Sequence, residues 1–394
     1  MLSKVKVENF YSYGNEFEIS FRVGKKPSTS YFDITVGDSG ERLNKVIALL
    51  GPNGAGKTQM LRPIAFLGWF VSSSMIEANP SKKIPFKPHK LCQDKPSRFE
   101  IDFIIGNDEY RYKLEATPEE VIHESLHKKT SHLYSYVFVR DKVGEGYEYK
   151  QKGFGFSKNL AVKVRKNASV ISSAHMHDVE FASQFVNYFN KFEYNINVSG
   201  RQHYHEGALF ESAAFLNENE VIRDKVHRIV CDLDLGIDCI EYKELERQDE
   251  QNNKKLIVPF GVHKSDLGDF ELPFFEESSG TKSAFVMLRK IMPVLEHGGV
   301  AIIDEIDNDL HSHMLSVILE LFKFEHTNPH NAQLIFTCHT PEVLNQLKKH
   351  QIYLVEKEDL FSESWRLDET VGLRADDNIY AKYQSGALGA VPNI

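Results

Sequence analysis

The chain predicts an α/β fold: a parallel core sheet, a mixed β-sheet lobe, and a helical lobe or insertion. Three observations carry that expectation. The apolar run Val46-Ile47-Ala48-Leu49-Leu50 feeds directly into the glycine-rich stretch Gly51-Pro52-Asn53-Gly54-Ala55-Gly56-Lys57-Thr58, as a buried strand feeds a turn and a helix. Two further apolar runs of strand length come late and end at Asp304-Glu305 and at His339. Before them, the first part of the chain alternates apolar and polar residues with period two, and residues 178–234 turn to helical spacing.

Composition bounds the class. With 394 residues, 41% of them hydrophobic, the chain can bury a sizeable core in one large or two moderate domains. A formal net charge of -9 repels a nucleic-acid backbone, so any such contact needs a local basic patch. Cys92, Cys231, Cys239 and Cys338 are scattered without a C-x-x-C pair, which speaks against a disulfide framework or a zinc site and for a reducing cytoplasm. The N-terminus lacks the apolar region of a signal peptide, and no run reaches about 18 uninterrupted apolar residues, so no membrane contact is expected.

Along the chain, residues 5–7 and 17–21 alternate in polarity and frame an early hairpin. Between them, Asn9-Phe10-Tyr11-Ser12-Tyr13 offers rings that either stack on an adenine base or pack a sheet edge. The glycine-rich turn opens a helix that continues through the apolar residues 64–75, and the Lys- and Pro-rich residues 80–96 form a loop. Strands follow over residues 99–105 and 110–114, turned by Gly106-Asn107-Asp108, and again over 134–140 and 147–150. Lys150, Lys152, Lys158, Lys163, Arg165 and Lys166 occur with no acidic residue among them, which makes either a solvated face or a phosphate or nucleic-acid contact. Phe181, Phe185, Tyr188, Phe189 and Phe192 share one helical face and read as core. No heptad persists over several turns, so no long coiled coil is expected. The pairs His175-Met176-His177, His203-Tyr204-His205 and His311-Ser312-His313 lack a third ligand and read as incidental to metal binding.

The glycine-rich stretch satisfies G-x-x-x-x-G-K-[ST] at every specified position. Its inward N–H groups cradle a polyphosphate while the following helix presents its positive end. Asn53, Gly54, Ala55, Gly56, Lys57 and Thr58 are therefore the nucleotide-binding candidates, with Lys57 reaching the β- and γ-phosphates and Thr58 ligating Mg2+. Gly298-Gly299-Val300-Ala301-Ile302-Ile303-Asp304-Glu305 is an apolar strand ending in two acids. There Asp304 supports Mg2+ through water, and Glu305 polarises the water that attacks the γ-phosphate. The run 334–340 brings His339 to the same edge of a parallel sheet, where it hydrogen-bonds the γ-phosphate. Upstream, Ser278, Ser279, Gly280 and Thr281 open another apolar-periodic helix and form a second anion-binding N-terminus. One nucleotide does not need two such cradles from one chain, so two chains about a twofold axis are expected to share them.

This order of motifs resembles the ABC-type ATPase head. More closely, it resembles the AAA-family, OLD-like ATPases of bacterial antiphage and abortive-infection loci. The carrying residues are Asn9-Phe10, residues 51–58, Asp234-Leu235-Gly236-Ile237, residues 277–282, Asp304-Glu305-Ile306-Asp307 through Leu310-His311, residues 333–339, and the tail 383–392 ending in Gly389-Ala390-Val391-Pro392. The resemblance runs nearly the full length. It implies one ABC-type head over 1–394, built from a β-rich lobe with the phosphate loop (1–165), a helical lobe or insertion (166–270), and a lobe with the signature turn, acid pair and switch histidine (271–394). It also implies that Lys57 and Thr58 bind phosphate and Mg2+, that Asp304 supports Mg2+, and that Glu305 is the catalytic base. Ser278 to Thr281 would act across a dimer, and residues 308–311 would join the two sites. Tyr11 stands where many chromosome-structuring relatives carry Arg, no Mg2+-contacting glutamine is assigned, and the C-terminal TOPRIM nuclease domain of the OLD nucleases is expected to be lacking.

Single-domain members of that family work with a separately encoded effector. The expectation is therefore a cytoplasmic ATP- and Mg2+-dependent switch that forms a homodimer or higher homo-oligomer around ATP, hydrolyses it slowly, and controls a nuclease or toxin. Two alternatives stand beside it: a DNA-repair ATPase of the recombination-mediator kind, using residues 150–166 on DNA, and a nucleotide-bound scaffold with negligible turnover.

Overall fold

A computed structural model describes every residue except 26, 38, 39, 78, 198, 199, 203, 234, 235, 250, 251, 309, 311, 375, 376 and 392–394, and all but the side chains of 246–249, 252–255, 312 and 313. Asp234 and Leu235, His203, the residues Asp309 and His311 of the joining loop, and Pro392 of the tail thus lie outside the described residues.

The phosphate-loop strand Val46–Leu50 sits inside a six-stranded sheet, and all of its residues are buried. They alternate between two cores. Ile47 and Leu49 face one, while Val46, Ala48 and Leu50 face the other. Neighbouring strands repeat the division: Val300 and Ile302 against Ala301 and Ile303, Tyr353 and Val355 against Ile352 and Leu354. A strand apolar at every position is what a sheet covered on both faces requires. The sheet runs in the order Glu193–Tyr194, Val300–Ile303, Gln333–Thr337, Val46–Leu50, Ile352–Glu358, Phe361–Arg366, parallel except for the last pair. Parallel pairing brings the carboxyl ends of the three apolar runs singled out above to one edge.

The first core lies between this sheet and a seven-stranded antiparallel one. Helix Lys57–Glu77 contributes most of its buried residues to that space. Helix Glu180–Phe189 packs there too, with the Tyr188 ring stacked on Phe103 at 4.9 Å and the Phe185 and Phe189 rings edge-on to it. In the antiparallel sheet the expected hairpins pair as their alternation indicates, Lys4–Val7 register with Phe17–Ser20 and Ser97–Ile105 with Asp108–Ala116. Periodicity passes over one strand of this sheet, Val121–Thr130. Its inward positions include Glu124, a fully buried acid that accepts from the Tyr112 hydroxyl (3.0 Å), Ser169 Oγ (2.7 Å) and the Val170 amide (3.0 Å), with Arg140 at 3.6 Å. A buried carboxylate satisfied this fully breaks the apolar pattern without breaking the strand.

The second core holds helices Glu206–Glu218, Glu220–Leu233, Ser279–His297 and Ser312–Lys323. The segment 166–270, read as helical, also contains strands Cys239–Asp249 and Asn252–His263, which join Phe270–Pro273 in a three-stranded antiparallel sheet. Charged residues dominate 241–249. The first strand therefore lacks the sustained period-two alternation that marks a half-buried strand. Among the described residues the longest helix has 21 residues, and no helix is long and apolar enough to cross a membrane.

Candidate functional site

The glycine-rich turn leaves its strand at Leu50 and is pressed against the strand pair 352–366. A Cβ on Gly51 would lie 2.0 Å from the Val355 carbonyl oxygen, and one on Gly56 would lie 2.3 Å from Ser362 Oγ. Neither position has room for a side chain. Ser362 Oγ donates to the Ala55 carbonyl (2.6 Å) and stands 2.7 Å from Ser12 Oγ, which pins the loop. Lys57 folds its ammonium back over the turn, donating to the carbonyls of Gly51 (2.7 Å) and Pro52 (3.1 Å). Burial pulls its pKa below the ordinary lysine value against the opposing pull of Asp304, Cys338 and Glu305. Among the described residues this partly desolvated cation has only neutral carbonyls as hydrogen-bond acceptors.

Asp304 ends strand Val300–Ile303 and is buried. Its Oδ2 accepts from Thr58 Oγ1 (2.9 Å) and its Oδ1 from Thr337 Oγ1 (2.7 Å). The Asn195 side chain clasps its backbone, accepting from Asp304 N (2.7 Å) and donating to the Asp304 carbonyl (2.9 Å). Thr337 Oγ1 also accepts from the Glu305 amide (2.7 Å), and the Ile306 amide donates to the Thr337 carbonyl (3.0 Å). Held from both sides, Glu305 adopts φ 49°, a left-handed conformation that costs a non-glycine residue roughly 1–3 kcal/mol. One carboxylate oxygen pairs with Arg201, and the other lies 3.8 Å from His339 Nε2. Asp307 Oδ2 in turn accepts from the amides of His339 (2.8 Å) and Thr340 (2.7 Å), fixing that turn.

These strand ends gather Asn53, Gly54, Gly56, Lys57, Thr58, Asp304, Glu305 and His339 around one cavity of about 210 Å³, together with Ser12, Gln59 and Lys357. Ala55 is buried beneath the loop instead. Ser278, Ser279, Gly280 and Thr281 are absent from the lining. They open helix Ser279–His297, where Ser278 Oγ accepts from the Thr281 amide (3.1 Å) and stands 2.7 Å from Thr281 Oγ1. Ser278 and Ser279 are exposed. The donor set fits a magnesium nucleotide: Thr58 and Asp304 are hard oxygen donors 2.9 Å apart, and a helix N-terminus with a half-desolvated ammonium suits polyphosphate.

Other sequence candidates separate from this site. Phe10 and Tyr13 are buried in the first core and pack a sheet edge, so they offer no face to a base. Tyr11 lies under the Arg62 guanidinium at 4.4 Å. In the basic run, Arg165 is turned inward and donates to the carbonyls of Ser74 (3.2 Å) and Met75 (2.7 Å) near the end of helix Lys57–Glu77, while the five lysines are exposed. His175 Nδ1 pairs with Ser183 Oγ, and His177 Nδ1 with the Ser173 carbonyl, each at 2.8 Å. Asn195, Arg201 and Thr337 are contributors that local patterns do not reveal, whereas Asp307 belongs to the run Asp304-Glu305-Ile306-Asp307 noted above. Of the three, only Thr337 leaves a trace, as the one hydroxyl within the apolar run 334–338.

A family model described as "AAA domain, putative AbiEii toxin, Type IV TA system" matches residues 46–345, from the phosphate-loop strand to just beyond His339. The chain belongs to this AAA family. No curated protein matches this AAA chain. Solved structures do, and one is an Smc head bound to the C-winged helix domain of ScpA, at 14% identity and TM-score 0.50 over 93% of this chain and 99% of that one. Another is the SMC head domain from Thermotoga maritima, at 13% identity and TM-score 0.40 over 93% and 98%. A third is an Smc head domain with an extended coiled coil bound to the C-terminal domain of ScpA derived from Pyrococcus furiosus, at 13% identity and TM-score 0.45 over 93% and 97%. The AAA chain thus has the fold of an ABC-type, SMC-like ATPase head.

Proposed function

We propose that this AAA protein is an ATP-hydrolysing switch of an OLD-like abortive-infection system. ATP brings two copies together, and the cycle controls a separately encoded nuclease or toxin in the cytoplasm. The observation that carries the reading is the division of the site. The phosphate-loop cavity is tied together by Thr58, Asp304, Thr337 and Glu305, while the exposed signature turn is capped on itself and lines no part of that cavity.

The chain's residues would act as follows. Lys57 exchanges two neutral carbonyls for anionic oxygens of the β- and γ-phosphates, which adds ion-pair attraction to its hydrogen bonds. Thr58 and Asp304 would hold Mg2+, which supplies charge neutralisation at the phosphates. Glu305 orients a water against the γ-phosphorus and takes its proton as the new P–O bond forms and the β–γ bridge breaks, leaving ADP and phosphate. Arg201 must release its carboxylate oxygen for that step. His339 donates to the γ-phosphate, and residues 278–281 of a second copy close the open side.

Light scattering on Glu305→Gln with and without ATP tests the assembly, with a dimer expected only with ATP. A monomer at saturating ATP would overturn it. Growth of cells carrying the neighbouring reading frame beside wild-type or Lys57→Ala protein tests effector control. Identical growth and phage resistance in both would remove that part of the reading.

A further inference from the structure

Behind the phosphate-loop cavity lies a second one of about 490 Å³, within the roughly 300–1,000 Å³ typical of small-molecule sites. The two share a wall. Asp304 and Glu305 line the first; Arg201, paired with Glu305, and Asn195, paired with the Asp304 backbone, line the second. Helix Ser279–His297 forms another side through Ser283 and Lys290.

We infer that this second cavity is an oxyanion site that takes a phosphate group on Arg201 and Lys290, and that its occupant competes with Glu305 for the Arg201 guanidinium. The effect on Glu305 rests on the ATPase reading, whereas binding of the anion does not. Both cations have donors to spare. The Arg201 side chain is 13% exposed, spends one terminal nitrogen on Glu305, and buries an Nε–H that has no acceptor among the described residues. A guanidinium presents five N–H donors in a fork that matches phosphate. Lys290 Nζ donates to the Tyr194 carbonyl at 3.0 Å, one of three donors accounted for. Burial, the largest influence, holds its pKa below the ordinary lysine value against the opposing pull of Glu193 and Glu211. The carboxylate of Glu211 also borders the cavity, but that residue is exposed and its charge is screened by water. The phosphate group has two possible sources: the one cleaved from ATP, leaving past Glu305, or one borne by a small metabolite from solution.

Titration of inorganic phosphate into the Lys57→Ala chain, followed by calorimetry, tests the site apart from the phosphate loop. We expect saturable binding that Arg201→Ala and Lys290→Met each weaken about tenfold or more and that Glu305→Gln tightens, because Arg201 is then released. Misfolding cannot produce that tightening, so it keeps the test sound if Arg201→Ala proves unstable. No binding, binding indifferent to Arg201 and Lys290, or weakening by Glu305→Gln would overturn the site. Competition by a nucleoside monophosphate at the same residues would identify a metabolite. A lag in phosphate release after hydrolysis, abolished by Lys290→Met, would identify the product; both results support the site. A chain that binds phosphate this way yet never hydrolyses ATP would refute the ATPase reading alone.

Discussion

The chain presents two helix N-termini suited to an anion, and they are finished in opposite ways. At helix Lys57–Glu77 the loop is locked against the strand pair 352–366, a cation is folded over it, and two acids stand opposite. At helix Ser279–His297 the turn satisfies itself through Ser278 and Thr281, and the nearby Lys282 spends its ammonium on the Phe275 carbonyl (3.1 Å). A helix end alone contributes roughly 0.3–1 kcal/mol toward an anion, whereas micromolar affinity needs about 8 kcal/mol. The turn at 278–281 is therefore too weak to recruit a nucleotide by itself, and its proposed role is to add to one already held. Affinity should reside at the first terminus and assembly at the second.

The sharpest way to separate these proposed roles is through Glu305. Glu305→Gln should slow hydrolysis by about 10²–10⁴-fold while leaving ATP affinity nearly unchanged, read by phosphate release beside calorimetry. A matching loss of affinity would make Glu305 part of the binding apparatus. Next, Lys57→Ala should weaken ATP binding by about 100-fold, or roughly 2.7 kcal/mol, whereas Ser278→Ala should leave binding to the isolated chain within about twofold. Equal losses in the two variants would erase the distinction between the termini.

Ser279→Glu probes the second terminus with two readouts of opposite sign. A carboxylate in the first turn of its own helix is favourable by roughly 0.3–1 kcal/mol, so thermal stability should hold or rise. The same charge facing a bound phosphate should abolish the ATP-dependent dimer seen by light scattering, and a persisting dimer would take the turn out of the shared site. The smallest effect concerns acid. His227, against the Tyr242 hydroxyl at 2.8 Å in the signature half, is held down to about 4 by burial and then by Arg223, against an ordinary value of 6.5. The unfolded chain takes up this proton first, so stability should be flat above pH 6.5 and fall between 6.5 and 4, by about 1 kcal/mol after allowance for solvent screening. Melting curves of His227→Phe should lose that slope; an unchanged slope would assign the acid sensitivity elsewhere.

How much could be read in advance depends on how far apart the cooperating residues lie. Residues 51–58 and the pair Asp304-Glu305 are legible because a phosphate loop and an acidic strand end are built from neighbours in sequence. Arg201 and Asn195 reach Glu305 and Asp304 across 104 and 109 residues, and nothing near them in sequence announces the contact. The same limit hid the strand around Glu124, whose acid is tolerated only because Ser169, Val170 and Tyr112 come from elsewhere to satisfy it.

The order of residues alone was enough to specify three parallel strands of the core sheet and the residue types at their carboxyl ends, since strand period and turn geometry are local properties. Packing settled the rest. Which rings of Asn9-Phe10-Tyr11-Ser12-Tyr13 were consumed by the core, which cation restrains Glu305, and that the signature turn stays outside its own chain's cavity all depend on segments far apart in sequence, brought together by burial of two separate apolar cores.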